Sequence, residues 1–234
     1  MQTSDKGICA LMLHEGIVPG PYKDSVGVMT YGIGHTSAAG SPIPADLPKG
    51  MPANINNELE CVFTVFKRDL ATYEAAVDRA ITITVSQAEF DAAVSFHYNT
   101  GAIASATWVK TLNNGDRVNA SKQIMNWKSP AEIIPRRQAE QTLFRDGVYP
   151  SGNITVWNVD SSCNVIWKPA LSLSNAEALE ILHSNEKPAE RPIWPSRGEG
   201  SKAKVWGLIA WAAAAGGWSL VALLAFLYFI AEVC

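Results

Sequence analysis

An apolar run, Ile8-Cys9-Ala10-Leu11-Met12-Leu13, is stopped by Gly16 and Pro19 just after the acid Glu15. Both residues oppose further helix, so the pattern predicts a first helix with Glu15 projecting from its C-terminal end. The next stretch, Tyr22 to Ile33, sets Val26, Val28, Thr30 and Tyr31 around Gly27. That arrangement predicts a small β-hairpin, with Asp24 on its first arm and Thr30 on its second. A helix turning directly into a hairpin leaves the chain few routes, and it brings Glu15, Asp24 and Thr30 to one cleft.

Two carboxyls in separate surroundings suit hydrolysis of a glycosidic bond: a protonated one serves the leaving oxygen, while an ionised one handles a water or the oxocarbenium charge. Thr30 can orient that water. By pattern alone, the triplet reads more readily as solvated surface groups. The spacing of Glu15, Asp24 and Thr30, followed by Gly32-Ile33-Gly34-His35-Thr36, resembles the phage-type lysozymes, endolysins with muramidase activity. Gln87 to Gly101 is similar to that family's core helix, and Arg136 to Gly147 to its closing Arg-Arg-x-x-Glu helix. The three motifs occur in the family's order and cover residues 1–150.

The resemblance implies an α+β, mainly helical fold of two lobes: a small β-hairpin lobe, a long connecting helix and a helical lobe. It implies Glu15 as general acid, Asp24 as second carboxylate and Thr30 as the residue assisting it. It also sets an Asp of the long helix, here Asp69, beside His35, and we expect a structural His35/Asp69 ion pair near the site rather than a catalytic His35. The implied substrate is the glycan strand of bacterial peptidoglycan, cut with inversion between N-acetylmuramic acid and N-acetylglucosamine, which leads to host cell lysis. Three alternatives stay open: a lytic transglycosylase, an inactive membrane-bound peptidoglycan-binding or virion structural protein, and a pore-forming holin-like protein. Asp24 and Thr30 favour hydrolysis, and the intact triplet argues against decay.

A chain of 234 residues, 47% hydrophobic and 18% charged, can bury one sizeable core or two small lobes. Its net charge of -3 gives no basic footprint for nucleic acid. Cys9, Cys61, Cys163 and Cys234 lack metal-binding spacing, so free buried thiols are expected, and no metal or other cofactor is implied. Ser37 to Ala53, with four prolines, reads as a surface loop bordering the cleft.

Asn57 to Ile81 repeats Leu59, Val62, Phe63, Phe66, Leu70, Tyr73, Val77 and Ile81 at helical steps, which predicts the long helix. A helix containing Phe90, Val94 and Tyr98 follows a Thr84 to Ser86 cap. Further helices are expected near Val118 to Trp127 and over Arg136 to Arg145, where Pro135 suits the first turn and Gly147 the last. For Arg136, Arg137 and Glu140 we expect ion pairs holding that helix in place, rather than contact with glycan.

Residues 151–204 read as an extension and tether: a hairpin within Ser151 to Trp167, a short helix capped by Ser174 and Glu177, then a charged, Pro- and Gly-rich stretch. Residues 205–233 are almost free of charge, and a transmembrane anchor is expected there. Arg191, Arg197, Lys202 and Lys204 precede it, so the positive-inside bias predicts a single-pass C-terminal anchor in the host inner membrane with the catalytic domain cytoplasmic. The expected partners are therefore peptidoglycan strands, the lipid bilayer and a holin-like protein that opens the membrane, with no nucleic acid.

Overall fold

The structure is a computed structural model that describes residues 1–184 of the chain. Helix α1 (Asp5–Glu15) starts at Ser4, whose side chain accepts from the Gly7 amide, and stops at Gly16 with φ of 69°. Such a φ excludes further helix and favours glycine. Strands β1 (Val18–Lys23), β2 (Met29–Gly32) and β3 (His35–Thr36) form an antiparallel sheet in that order. The β1 register is irregular between Val18 and Tyr22, where Pro19 and Pro21 cannot donate to a ladder. Beyond it, Tyr22 lies opposite Thr30. Asp24 sits in the β1–β2 turn rather than on the first arm, because its carboxylate collects turn amides and ends the strand at Lys23.

Two short 3-10 turns, Ser37–Ala39 and Pro44–Asp46, break the loop that leads to α2 (Ile55–Ala80). Asn54 caps α2, and its stripe of Leu59, Val62, Phe63, Phe66, Leu70 and Val77 is buried. The helix packs on β2 and on α3 (Gln87–Thr100), so one rigid element joins sheet and helices. Ser86 and Glu89 form a capping box at the start of α3, and Gly101 ends it in the left-handed region.

The helical lobe closes with α4 (Thr107–Asn113), α5 (Arg117–Ile124) and α6 (Ile134–Asp146). Edge-to-face contacts of Phe96 with Trp108 and Trp127, and of Trp108 with Phe144, build its core. No periodicity announces α4, since seven residues are too few for one to stand out.

The chain then forms an antiparallel hairpin, β4 (Ile154–Val159) and β5 (Val165–Leu173), and a last helix, α7 (Asn175–Ser184). β4 lies along β1, joined by a parallel bridge between Ile17 and Val156, and α7 packs on α1 and α2. The described residues accordingly form one compact unit.

Two expectations are corrected. Among the described residues, no helix is long and apolar enough to cross a membrane. The longest, α2, carries Glu58, Lys67, Arg68, Glu74 and Asp78 between its apolar positions, a pattern that needs water on one face. The span expected over 205–233 lies outside the described residues. Over the described residues the fold is thus lysozyme-like and mainly helical, without a membrane helix. Localisation through a single-pass anchor in the inner membrane loses its structural basis, as do the bilayer and a holin-like protein as partners.

Candidate active site

Glu15 reaches the site because α1 ends on it. Its Oε1 accepts from Arg136 Nη1 at 2.6 Å, across 121 positions of sequence. Arg136 lies near the start of α6 and is buried, and its Nε donates to Glu140 Oε1 at 3.0 Å, one turn along. Glu140 also accepts from Ser95 Oγ at 2.8 Å and has Arg137 Nη1 2.5 Å from its other oxygen. Arg137 is fully buried and donates to Asn99. Burial alone would lower the Arg136 pKa, but the carboxylates of Glu15 and Glu140 outweigh it and hold the pKa above the ordinary value. The same two arginines depress His14: burial first, then Arg136 and Arg137, lower its pKa to about 4.

Asp24 is fixed by its own turn. Its Oδ1 accepts from the Val26 amide at 2.9 Å and the Val28 amide at 2.8 Å, leaving Oδ2 without a bond among the described residues. Thr30 is buried on β2 and donates through Oγ1 to Val28 O at 3.1 Å. Tyr22 lies cross-strand from Thr30. Burial raises its phenol pKa, and the charges of Glu15 and Asp24 raise it further, so both carboxylates lie in the field of one side chain. Burial likewise raises the pKa of Tyr98, with Glu15 next among its causes.

His35 closes the sheet side. Its Nδ1 is 2.6 Å from Asp69 Oδ2 and its Nε2 is 2.7 Å from Pro42 O. Both ring nitrogens are thereby occupied within the protein, and the ring is buried. Arg68 donates to the other Asp69 oxygen at 2.9 Å. A cleft of about 440 Å³ opens beside this pair, between Gly34, Thr36, Asp69, Thr72, Tyr73 and Tyr98. Glu15 does not line it, while Tyr98, which donates to Ile33 O, does. Among the described residues, no group of three or more His, Cys, Asp or Glu side chains is gathered to hold a metal ion.

A family model described as Phage lysozyme matches residues 12–140, the span that holds all of these groups. The chain belongs to the phage lysozyme family. The endolysin of Salmonella phage P22 is 31% identical over 150 residues, covering 62% of this chain and 98% of that protein. The SAR-endolysin of Bacteriophage PS119 is 31% identical over 136 residues, or 55% and 75% of the two chains. Among solved structures, the endolysin from Escherichia coli O157:H7 phage FAHEc1 superposes with a TM-score of 0.56 at 30% identity, covering 64% of this chain and 98% of that one. The protein is an endolysin-like muramidase, a glycoside hydrolase of the lysozyme kind.

Sequence reasoning missed three neighbours of Glu15. Arg136 is expected to hold its helix in place, and it does so through Nη2, which donates to Ser95 O of α3, yet Nη1 is on Glu15. The signal was the Arg-Arg-x-x-Glu spacing, which shows the local pair but not the distant one. Tyr22 and Tyr98 gave no signal, since buried tyrosines are usually core.

Proposed function

We propose that this lysozyme cuts the bond between N-acetylmuramic acid and N-acetylglucosamine in peptidoglycan with Glu15 as general acid, Asp24 as the second carboxylate and Thr30 as its assistant. Glu15 delivers its proton to the leaving glycosidic oxygen. Asp24, with Oδ1 pinned by two amides, uses Oδ2 to draw a proton from a water on the opposite face of the sugar. The Thr30 hydroxyl helps hold that water. Attack from the opposite face inverts the anomeric centre.

The observation that carries this reading is that Glu15 ends α1 on Arg136, just before the strand pair whose turn pins Asp24 and whose second strand carries Thr30. Arg136 holds the Glu15 carboxyl in place, and Glu140 anchors Arg136 in turn. His35 and Asp69 shape the sheet edge without touching the bond.

The test is digestion of purified peptidoglycan by the wild type and by Glu15→Gln. The amide has no proton to give, and turnover is expected to fall by ~10³ or more at unchanged far-UV dichroism. Near-normal turnover of that variant refutes the assignment. Mass analysis of the wild-type products is expected to find free reducing ends, whereas anhydro ends would favour the transglycosylase alternative.

A further inference from the structure

We propose that the β4–β5 hairpin carries a sugar-stacking platform, Trp157 and Trp167, that receives a hexosamine ring of the glycan strand beyond the scissile bond. This rests on the placement of Glu15 at that bond. The hairpin lies outside the residues matched by the family model, which end at 140.

Its position along the site is fixed by backbone. Ile17 N donates to Thr155 O at 2.9 Å, and Trp157 N donates to Ile17 O at 2.8 Å. At the other end, Lys23 N donates to Cys163 O at 2.9 Å. The hairpin therefore follows β1 from the neighbourhood of Glu15 to the residue before Asp24. Trp157 Nε1 fills the space a side chain on Gly16 would need, 2.7 Å from where its Cβ would lie. That glycine directly follows Glu15, so the indole borders the acid's own segment.

The rings meet edge to face, with centroids 5.4 Å apart and planes at 76°. Trp157 is half-buried and Trp167 is 77% exposed. A tryptophan so exposed, braced by a second one that the backbone locks in place, has no packing role of its own. The angle between the rings makes a corner with one broad apolar face toward water. A pyranose matches such a corner: its axial C–H groups form an apolar face, and its hydroxyl and N-acetyl groups stay in water at the rim. The substrate is a polymer, so rings on either side of the cut bond must lie against the protein near Glu15 and Asp24.

The test uses the full-length chain and peptidoglycan glycan strands freed of peptide stems and fractionated by length. In the Glu15→Gln background, binding is read by tryptophan fluorescence and co-sedimentation. Adding Trp167→Ala is expected to weaken binding of long strands about tenfold, the order of loss that removing one aromatic stack causes. Trp167→Phe is expected to restore most of it. Ile166→Ala, the neighbouring exposed position, controls for general damage to the hairpin and is expected to leave binding as it was. With Glu15 intact, Trp167→Ala is expected to raise KM for long strands, and disaccharide-sized fragments are expected to lose this discrimination. Unchanged affinity in Trp167→Ala overturns the platform, as does an equal loss in Ile166→Ala. Full turnover of Glu15→Gln instead overturns the placement of the acid, and the platform with it.

Discussion

At the scale of single residues, Arg136 is the group on which most depends. It is buried between two carboxylates, and its planar fork satisfies Glu15 through Nη1 and Glu140 through Nε at once. An ammonium is a single point donor and cannot span both. Arg136→Lys is therefore expected to lower turnover by about tenfold or more and stability by about 1–3 kcal/mol, read from digestion rates and urea unfolding. His14 gives a pH signature. It packs beside Asp91 and Glu140 as well as near the two arginines, and its folded pKa of about 4 lies below the model-peptide value of 6.5. A histidine kept neutral by the fold contributes stability that is fully present above the unfolded pKa. As pH falls from 6.5 toward 4, the unfolded chain takes up a proton that the folded chain refuses, and that stability is lost. About 2–3 kcal/mol is expected to disappear across this window. Urea titrations from pH 7 to 4 check it, since His14→Gln is expected to flatten that part of the profile.

Among the elements, the α1–β1 corner is closely packed. Gly16 has φ of 69°, and Trp157 of the hairpin stands where a Cβ would go. Gly16→Ala combines a left-handed conformation with a displaced indole. It is expected to destabilise the protein by about 2–3 kcal/mol and to shift Glu15, with loss of melting temperature and activity together. The start of α3 is a milder case. Ser86→Ala removes one half of a capping box and is expected to cost about 1 kcal/mol by chemical unfolding, without effect on the strand-binding face.

Over the whole molecule, Asp91 ties distant parts of the chain together. On α3 it accepts from Ser4 at the N-terminus, from Gln87 one turn away and from Tyr149 after α6. The last of these joins the core of the helical lobe to the segment that leads into the hairpin. Asp91→Ala takes the carboxylate acceptor from Ser4 and Tyr149, while Gln87 keeps the Gln2 carbonyl, and is expected to cost about 3 kcal/mol, with earlier hydrogen exchange at both α1 and β4. Exchange lost only around α3 would show that the hairpin is held independently.

The sequence by itself determined what repeats locally or is stopped locally. The stripe of α2, the cap before α3, the Gly147 cap and the end of α1 at Glu15 all depend on residues within a turn of each other, so spacing reveals them. Asp24 was placed one residue off its structural setting, because a carboxylate that collects two turn amides ends a strand in a way hydrophobic alternation does not record. Only tertiary structure decided that Arg136 meets Glu15, that Tyr22 lies opposite Thr30, and that the hairpin after residue 150 folds back along β1. These contacts join segments far apart in the chain, and their energy depends on burial and exact geometry, neither of which a linear pattern carries.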